Sequence, residues 1–285
     1  MKYTGSIVVA VTILELGLPL SVGAQEFEGV ITTRQVTLGD RALSLLLDPA
    51  ILEAEPIDHS AVFALPMAEI LELASQPDSD VGIDSLVYSM KRTQLRVSGD
   101  LGDEMPGYAI LDFGAGTFRL VQPAERMYLE LTREDFETYK AMVAEPEPEP
   151  STLSLKASPT GATKLINGMH CSAYEIETDA AITLAWVTPE LEDLVGAFVE
   201  FESRMKEMGM FDTEDETEIF SVVAEHGFPV MEQTFMTFGS YAVEYEIMEI
   251  LSVERKPLSA ELFTVPSDYE KLSIMEMLRL MGGEK

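Results

Sequence analysis

YAILDFGAGTFRLVQPAERMYLEL, residues 108–131, is the stretch on which the fold turns. It holds three apolar-rich runs, Tyr108–Phe113, Thr117–Gln122 and Arg126–Leu131, separated by Gly114-Ala115-Gly116 and Pro123-Ala124-Glu125. Short runs punctuated by glycine or proline at hairpin spacing are strands of a meander, so the sheet is expected to be antiparallel.

The same pattern extends outward in both directions. Upstream, Glu28–Val36, Ser85–Met90 and Thr93–Ser98 are rich in β-branched residues and read as strands. Between the first two, Asp40–Gln76 carries Leu43, Leu45, Leu46, Leu47 and Ile51, then Met67, Ile70, Leu71 and Leu73, broken at Pro49, Pro56 and Pro66. Those spacings predict short helices, a helical insertion at about 38–84. Downstream, strands are expected at 151–156, 163–167, 170–178, 181–187, 228–232 and 241–255. In the last, Val243, Tyr245, Ile247, Leu251 and Val253 share one parity and Glu244, Glu246 and Ser252 the other. That alternation predicts one buried and one wet face.

Three helices are expected beyond the insertion. Thr132 with Asp135 three residues on is a capping box. Pro189 stands at the first position of another helix, whose stripe Leu191, Leu194, Val195, Phe198, Phe201 or Glu202, and Met205 should lie on the sheet. The tail LSIMEMLRLMGG has apolar residues at helical spacing.

Lys2, the apolar run Ile7–Leu20 and Val22-Gly23-Ala24 read as a cleaved secretory signal over residues 1–24. The run is shorter than the ~20 residues that span a bilayer, so after cleavage no integral membrane protein is expected. Residues 25–285 are expected to form a single domain, with Glu145-Pro146-Glu147-Pro148-Glu149-Pro150 (145–150) as a stiff loop rather than a domain linker. The hydrophobic fraction is 46% and the formal net charge −31. Such a field repels phosphate backbones and anionic headgroups and excludes nucleic acid as a partner. One cysteine permits no internal disulfide.

Catalytic signatures are missing. His170 and Cys171 are neighbours, but on a strand successive side chains point to opposite faces, so they do not converge. Three histidines and one cysteine without close spacing make no zinc tetrad, and the acidic run Asp212–Glu218 lacks the order of a calcium loop. No nucleophile elbow, P-loop or dinucleotide fingerprint occurs. The residues therefore point to no enzyme, no metal and no cofactor.

Five segments carry a resemblance: FEGVITTR (27–34), GTFRLVQPAERMYLEL (116–131), LINGMHCSAYEIE (165–177), AWVTPEL (185–191) and VERKPLSAELFTVPSDYEKL (253–272). Together they resemble the family called domain of unknown function 4412, DUF4412, which is similar to the periplasmic lipoprotein carriers LolA and LolB and to the regulator RseB. Arg119, Pro123, Tyr128, Gly168, Cys171, Tyr174, Trp186, Phe263, Pro266 and Tyr269 fall on the matching motifs. The resemblance implies an α+β fold: a strongly curved antiparallel β-sheet, an incomplete barrel, with helices packed in its concave face. It also implies an exported, periplasmic or extracellular, non-enzymatic protein holding a lipid or lipoprotein acyl chain in an apolar cavity. Phe113, Phe118, Trp186 and Phe198 are the candidate cavity residues. The alternative is a sensor with an envelope protein partner and no ligand, as in RseB.

Overall fold

The computed structural model describes residues 27–52, 59–99, 107–143, 156–178, 181–208, 222–238, 241–273 and 276. The expected signal (1–24), the Glu/Pro loop (145–150), the acidic run (212–218), most of the 151–156 strand and the tail helix lie outside the described residues.

Among the described residues twelve strands form one sheet: β1 (Gly29–Gly39), β2 (Val81–Lys91), β3 (Gln94–Gly99), β4 (Gly107–Asp112), β5 (Thr117–Gln122), β6 (Met127–Thr132), β7 (Ala157–Ile166), β8 (Met169–Glu177), β9 (Ala181–Thr188), β10 (Phe228–Phe238), β11 (Tyr241–Arg255) and β12 (Glu270–Leu272). Their order is β12-β6-β5-β4-β3-β2-β1-β11-β10-β9-β8-β7. The meander is confirmed, because β4, β5 and β6 pair as successive antiparallel neighbours. Of these strands only β12 runs parallel to its neighbour, β6. With β12 and β7 at its ends the sheet is not closed, and the class is α+β.

Two meanders, β1–β6 and β7–β11, join where β1 pairs with β11. In that pairing Thr32 faces Ser252 and Thr33 faces Ile250, so Leu251 is an extra residue, a β-bulge. The bulge overturns the single-parity expectation for β11. Before it, Tyr245 and Ile247 are buried on one face; after it, Val253, opposite Ile31, points to the other, the face that Ile250 already takes by alternation. Leu251, assigned by parity to the buried face, is exposed.

Both faces of the sheet therefore need cover. On one, Val36, Leu38, Phe235, Tyr245 and Ile247 pack with the helices between β1 and β2: α1 (Asp40–Leu46), α2 (Pro49–Leu52), α3 (His59–Phe63) and α4 (Met67–Ala74). On the other, Ile31, Leu86, Tyr88, Met90, Leu95, Val97, Ala109 and Leu111 join one cluster with Leu194, Val195, Phe198, Phe201 and Met205 of α6 (Glu192–Glu207). These are the residues of the expected stripe. Full burial of each large side chain contributes roughly 1.5–3 kcal/mol, so this helix is a main fastener of the β2–β4 face.

Local signals behave as read. Thr132 and Asp135 form the capping box, with Asp135 Oδ2 accepting from Thr132 N at 2.8 Å, at the start of α5 (Arg133–Val143). Pro189 opens a 3-10 turn whose N-cap Thr188 accepts from Glu190 N at 3.3 Å. The segment from Leu258 to Tyr269 packs Phe263 against Tyr108, Ile110 and Val121, and Arg96 Nη1 donates to Leu262 O at 2.9 Å.

Two glycines separate strain from crowding. Gly99 has φ +141° and a Cβ there would sit 2.0 Å from Ser85 O in β2. Gly168, in the β7–β8 turn, has φ +85° with nothing within 4 Å. In urea denaturation followed by far-UV circular dichroism, Gly168→Ala is expected to cost about 1–2 kcal/mol, the left-handed penalty alone. Gly99→Ala adds a backbone clash and should cost about 2–4 kcal/mol. Equal losses at the two positions would contradict the register of β2 and β3.

Candidate functional site

A row of side chains crosses the second meander on one face. Arg34 in β1 is opposite Glu249 in β11, Glu249 opposite Met231 in β10, Met231 opposite Trp186 in β9, and Trp186 opposite Ala173 in β8. Partners across antiparallel strands project to the same side, so the five are neighbours in space. Lys164 of β7, in register with Cys171, lies on that side too. The small Ala173 leaves room for its long chain to cross. Lys164 Nζ ends 3.9 Å from the centroid of Trp186 and 3.6 Å from Met231 Sδ.

The polar end of the row is tied together by Glu249, which is buried. Arg34 Nη2 reaches Glu249 Oε2 at 2.5 Å, and Asn167 Nδ2 donates to Glu249 Oε1 at 3.0 Å and to Ile250 O at 2.7 Å. Asn167 has φ +48° at the tip of the β7–β8 hairpin, a conformation its short polar side chain tolerates. The hairpin is thus clasped to β11, although β9 and β10 stand between in the sheet. At the other side, Trp186 Nε1 donates to Gln233 Oε1 at 3.0 Å, and Gln233 Nε2 donates to Phe63 O at 3.1 Å and to Tyr245 Oη at 2.5 Å. That chain fixes the indole against α3.

Satisfaction is incomplete at two points. Arg34 Nε is buried without a hydrogen-bond partner. Lys164, half-buried, has three N–H donors and meets a thioether and a ring face, both poor acceptors. Desolvation lowers its pKa below the usual lysine range, partly offset by Cys171 and the charge of Glu249. Burial pushes the Cys171 thiol up, which keeps it protonated and unreactive.

Of the four candidate cavity residues, Trp186 and Phe198 belong to one apolar cluster and Phe113 and Phe118 pack against it, each with its own ring partner. Phe113 lies edge-on to Phe201 at 5.0 Å, Phe198 is 5.1 Å from Phe228, and Phe118 is 6.1 Å from Phe136. Only Trp186 is in the row. Cys171 is buried and His170 exposed, so the two do diverge. Lys164, Arg34, Glu249 and Asn167 were not singled out by the sequence. Asn167-Gly168 did mark a turn, but which strand that turn would touch depends on pairings between β8 and β11 that lie far apart in the chain.

The opposite face of β10 and β11 carries a second polar group. Glu232 is in register with Met248, Thr234 with Glu246, and the Glu246 carboxylate accepts from Gln35 Nε2. Burial, with Glu246 adding its charge, pushes the Glu232 carboxyl up to about 7. Among the described residues no three or more His, Cys, Asp or Glu side chains gather as a metal set. Among the same residues no helix is long and apolar enough to cross a membrane.

The molecule is thus an open, mostly antiparallel sheet protein with a half-buried cationic and aromatic row. The chain belongs to the family described as Domain of unknown function (DUF4412), whose model matches residues 84–269, from β2 through Tyr269. No curated protein matches the sequence. PNGF-II, solved in space group C2, aligns at 9% identity over 87% of this chain and 31% of its own, with a TM-score of 0.33. An uncharacterized conserved protein from Thermus thermophilus aligns at 7% identity over 85% of this chain and 90% of its own, with a TM-score of 0.34. The chain spans about a third of PNGF-II, and neither likeness reaches the level at which a shared fold follows.

Three expected outcomes concern the charged groups. Glu249→Gln leaves the Arg34 guanidinium without its counter-charge and should cost about 2–4 kcal/mol by urea denaturation at pH 7. Asp268→Asn, which removes the exposed ion pair with Arg126, should cost under about 1 kcal/mol. The carboxyl of Glu232 is raised in the folded state, so the folded state holds its proton more tightly than the unfolded chain. Stability should therefore fall as pH rises from about 4.5 to about 7, by at most a few kcal/mol, and stay lowered above. Glu232→Gln should flatten that part of the profile in chemical denaturation between pH 4 and 8; an unchanged slope would show that Glu232 titrates normally.

Proposed function

We propose that this protein is an exported, non-enzymatic binding protein of the envelope that holds an apolar or amphiphilic ligand, a lipid or acyl chain, against its sheet. The observation that carries the reading is the apolar cluster in which α6 packs on β1–β4 and which also takes in Ile166, Cys171, Ala173 and Trp186 of the second meander. Around it Phe113, Phe118, Leu120, Met169, Leu184, Met231 and Val253 are only partly buried. A cluster with an apolar rim of this kind gains about 25 cal/mol for each Å² of acyl chain it removes from water. The clasp of the β7–β8 hairpin onto β11 supports a sheet that bends around such a ligand, in the manner of an incomplete barrel. α6 then serves as the lid.

A second reading has its own observation. Phe198 and Met205 are buried between α6 and the strands, filling space that a ligand would otherwise take. This favours a sensor or interaction module, ligand-free, engaging an envelope protein.

The test is native mass spectrometry, with lipid extraction, of the protein purified from an envelope fraction. Stoichiometric co-purified lipid is expected. Repeated absence of lipid, together with failure to displace a fluorescent fatty-acid probe, overturns the carrier reading and leaves the sensor reading standing.

A further inference from the structure

We infer that the row from Arg34 to Lys164 is a headgroup site for a single negative charge, the carboxylate of a long-chain fatty acid. The inference rests on the acyl-binding reading and specifies which amphiphile and which end of it the site recognises.

Two facts about the row point to an anion. Lys164 places its ammonium over Trp186 and beside Met231 Sδ, where no oxygen of the described residues accepts from it. Arg34, across the row, keeps Nε buried and unbonded while its other nitrogen holds Glu249. Both groups sit on one face; Glu249 accepts from Arg34, and its charge also acts on Lys164. A half-buried ammonium normally recovers its lost hydration from a carboxylate, and even the exposed Lys271 has one, Glu130 at 2.7 Å.

Charge count selects the class of anion. Arg34 and Lys164 bring two positive charges and Glu249 one negative, so the site carries one positive charge in excess. A carboxylate balances it, whereas a doubly charged phosphate would leave new repulsion against Glu249. The long-range field of a chain at −31 opposes the approach of any anion, so local donors must hold it. The apolar surroundings select the rest of the molecule: Trp186, Cys171, Ala173 and Ile166 belong to the cluster that includes α6, so a hydrocarbon tail beside the charge would meet apolar side chains.

The only tryptophan of the chain is Trp186, so its emission reports directly on the site. Delipidated full-length protein is titrated with palmitate and with 1-hexadecanol, which share a tail and differ in charge. Palmitate should shift Trp186 emission and bind at least about 10-fold tighter than the alcohol, a difference worth about 1.4 kcal/mol. Lys164→Gln should erase that preference with little change in affinity for the alcohol, and Lys164→Arg should restore part of it. Should Lys164→Gln fail to fold, acylation of Lys164 in the wild type is followed by peptide mass spectrometry, and palmitate should slow it about 10-fold. Equal affinity for acid and alcohol, loss of both in Lys164→Gln, or labelling indifferent to palmitate overturns the headgroup inference while the acyl reading stands. Binding of neither compound by calorimetry overturns both.

Discussion

The pairing of β1 with β11, interrupted by the bulge at Leu251, is the constraint from which the rest of the structure follows. An uninterrupted ladder would send Tyr245, Ile247, Leu251 and Val253 to one face and Glu244, Glu246, Ile250 and Ser252 to the other. One extra residue instead divides β11 into a half that is apolar on one side and a half that is apolar on the other. A sheet built on such a strand cannot be a layer with a dry and a wet side. It needs α1–α4 over one region and α6 over the other, and the chain supplies them in different connections, one before β2 and one after β9. The bulge also increases local twist, and it lies where the β7–β8 hairpin comes to rest on Ile250 O.

Charge is handled by the same economy. The basic residues of the described strands and loops are largely committed to pairs: Arg119 and Lys271 to Glu130, Arg255 to Asp193, Lys91 to Glu28. Exposed pairs of this kind add little stability each, but they place scarce positive charge where strands must stay together in a strongly acidic chain. The Lys271–Glu130 pair sits on the short parallel contact of β12 with β6, and Arg126–Asp268 at its start. Three residues of parallel ladder are a weak edge by themselves, so the ion pairs and the packing of Phe263 beneath decide whether the edge holds. Lys164 departs from this habit, since its ammonium meets a ring face and a thioether.

Much of the fold was legible because its information is local. The turns Gly114–Gly116 and Pro123–Glu125, the capping box at Thr132 and the stripe on α6 are each written within a few residues, and each is where the periodicity puts it. Boundaries were less so: β10 continues to Phe238 where alternation suggested an end at Glu232, and β7 begins at Ala157. The bulge was not legible, since an alternating run looks the same whether or not one residue is later looped out. β12 was hidden because three residues, Glu270–Leu272, carry no periodic signal and pair only through a parallel contact with distant β6.

The candidate site was legible in one residue, Trp186, and the reason is physical. Strand parity says which face a residue takes, and it did separate Cys171 from His170. It does not say which strands lie side by side, and the row is made by pairings that bring Ala173, Trp186, Met231, Glu249 and Arg34 together from five strands. Lys164 in the run TKLI looks like any surface lysine of an edge strand. It becomes unusual only once Ala173 lets its chain cross to an indole and a thioether instead of a carboxylate. A small residue beside a long cation on adjacent strands is thus what lets an edge lysine lie over an indole and a thioether two and three strands away.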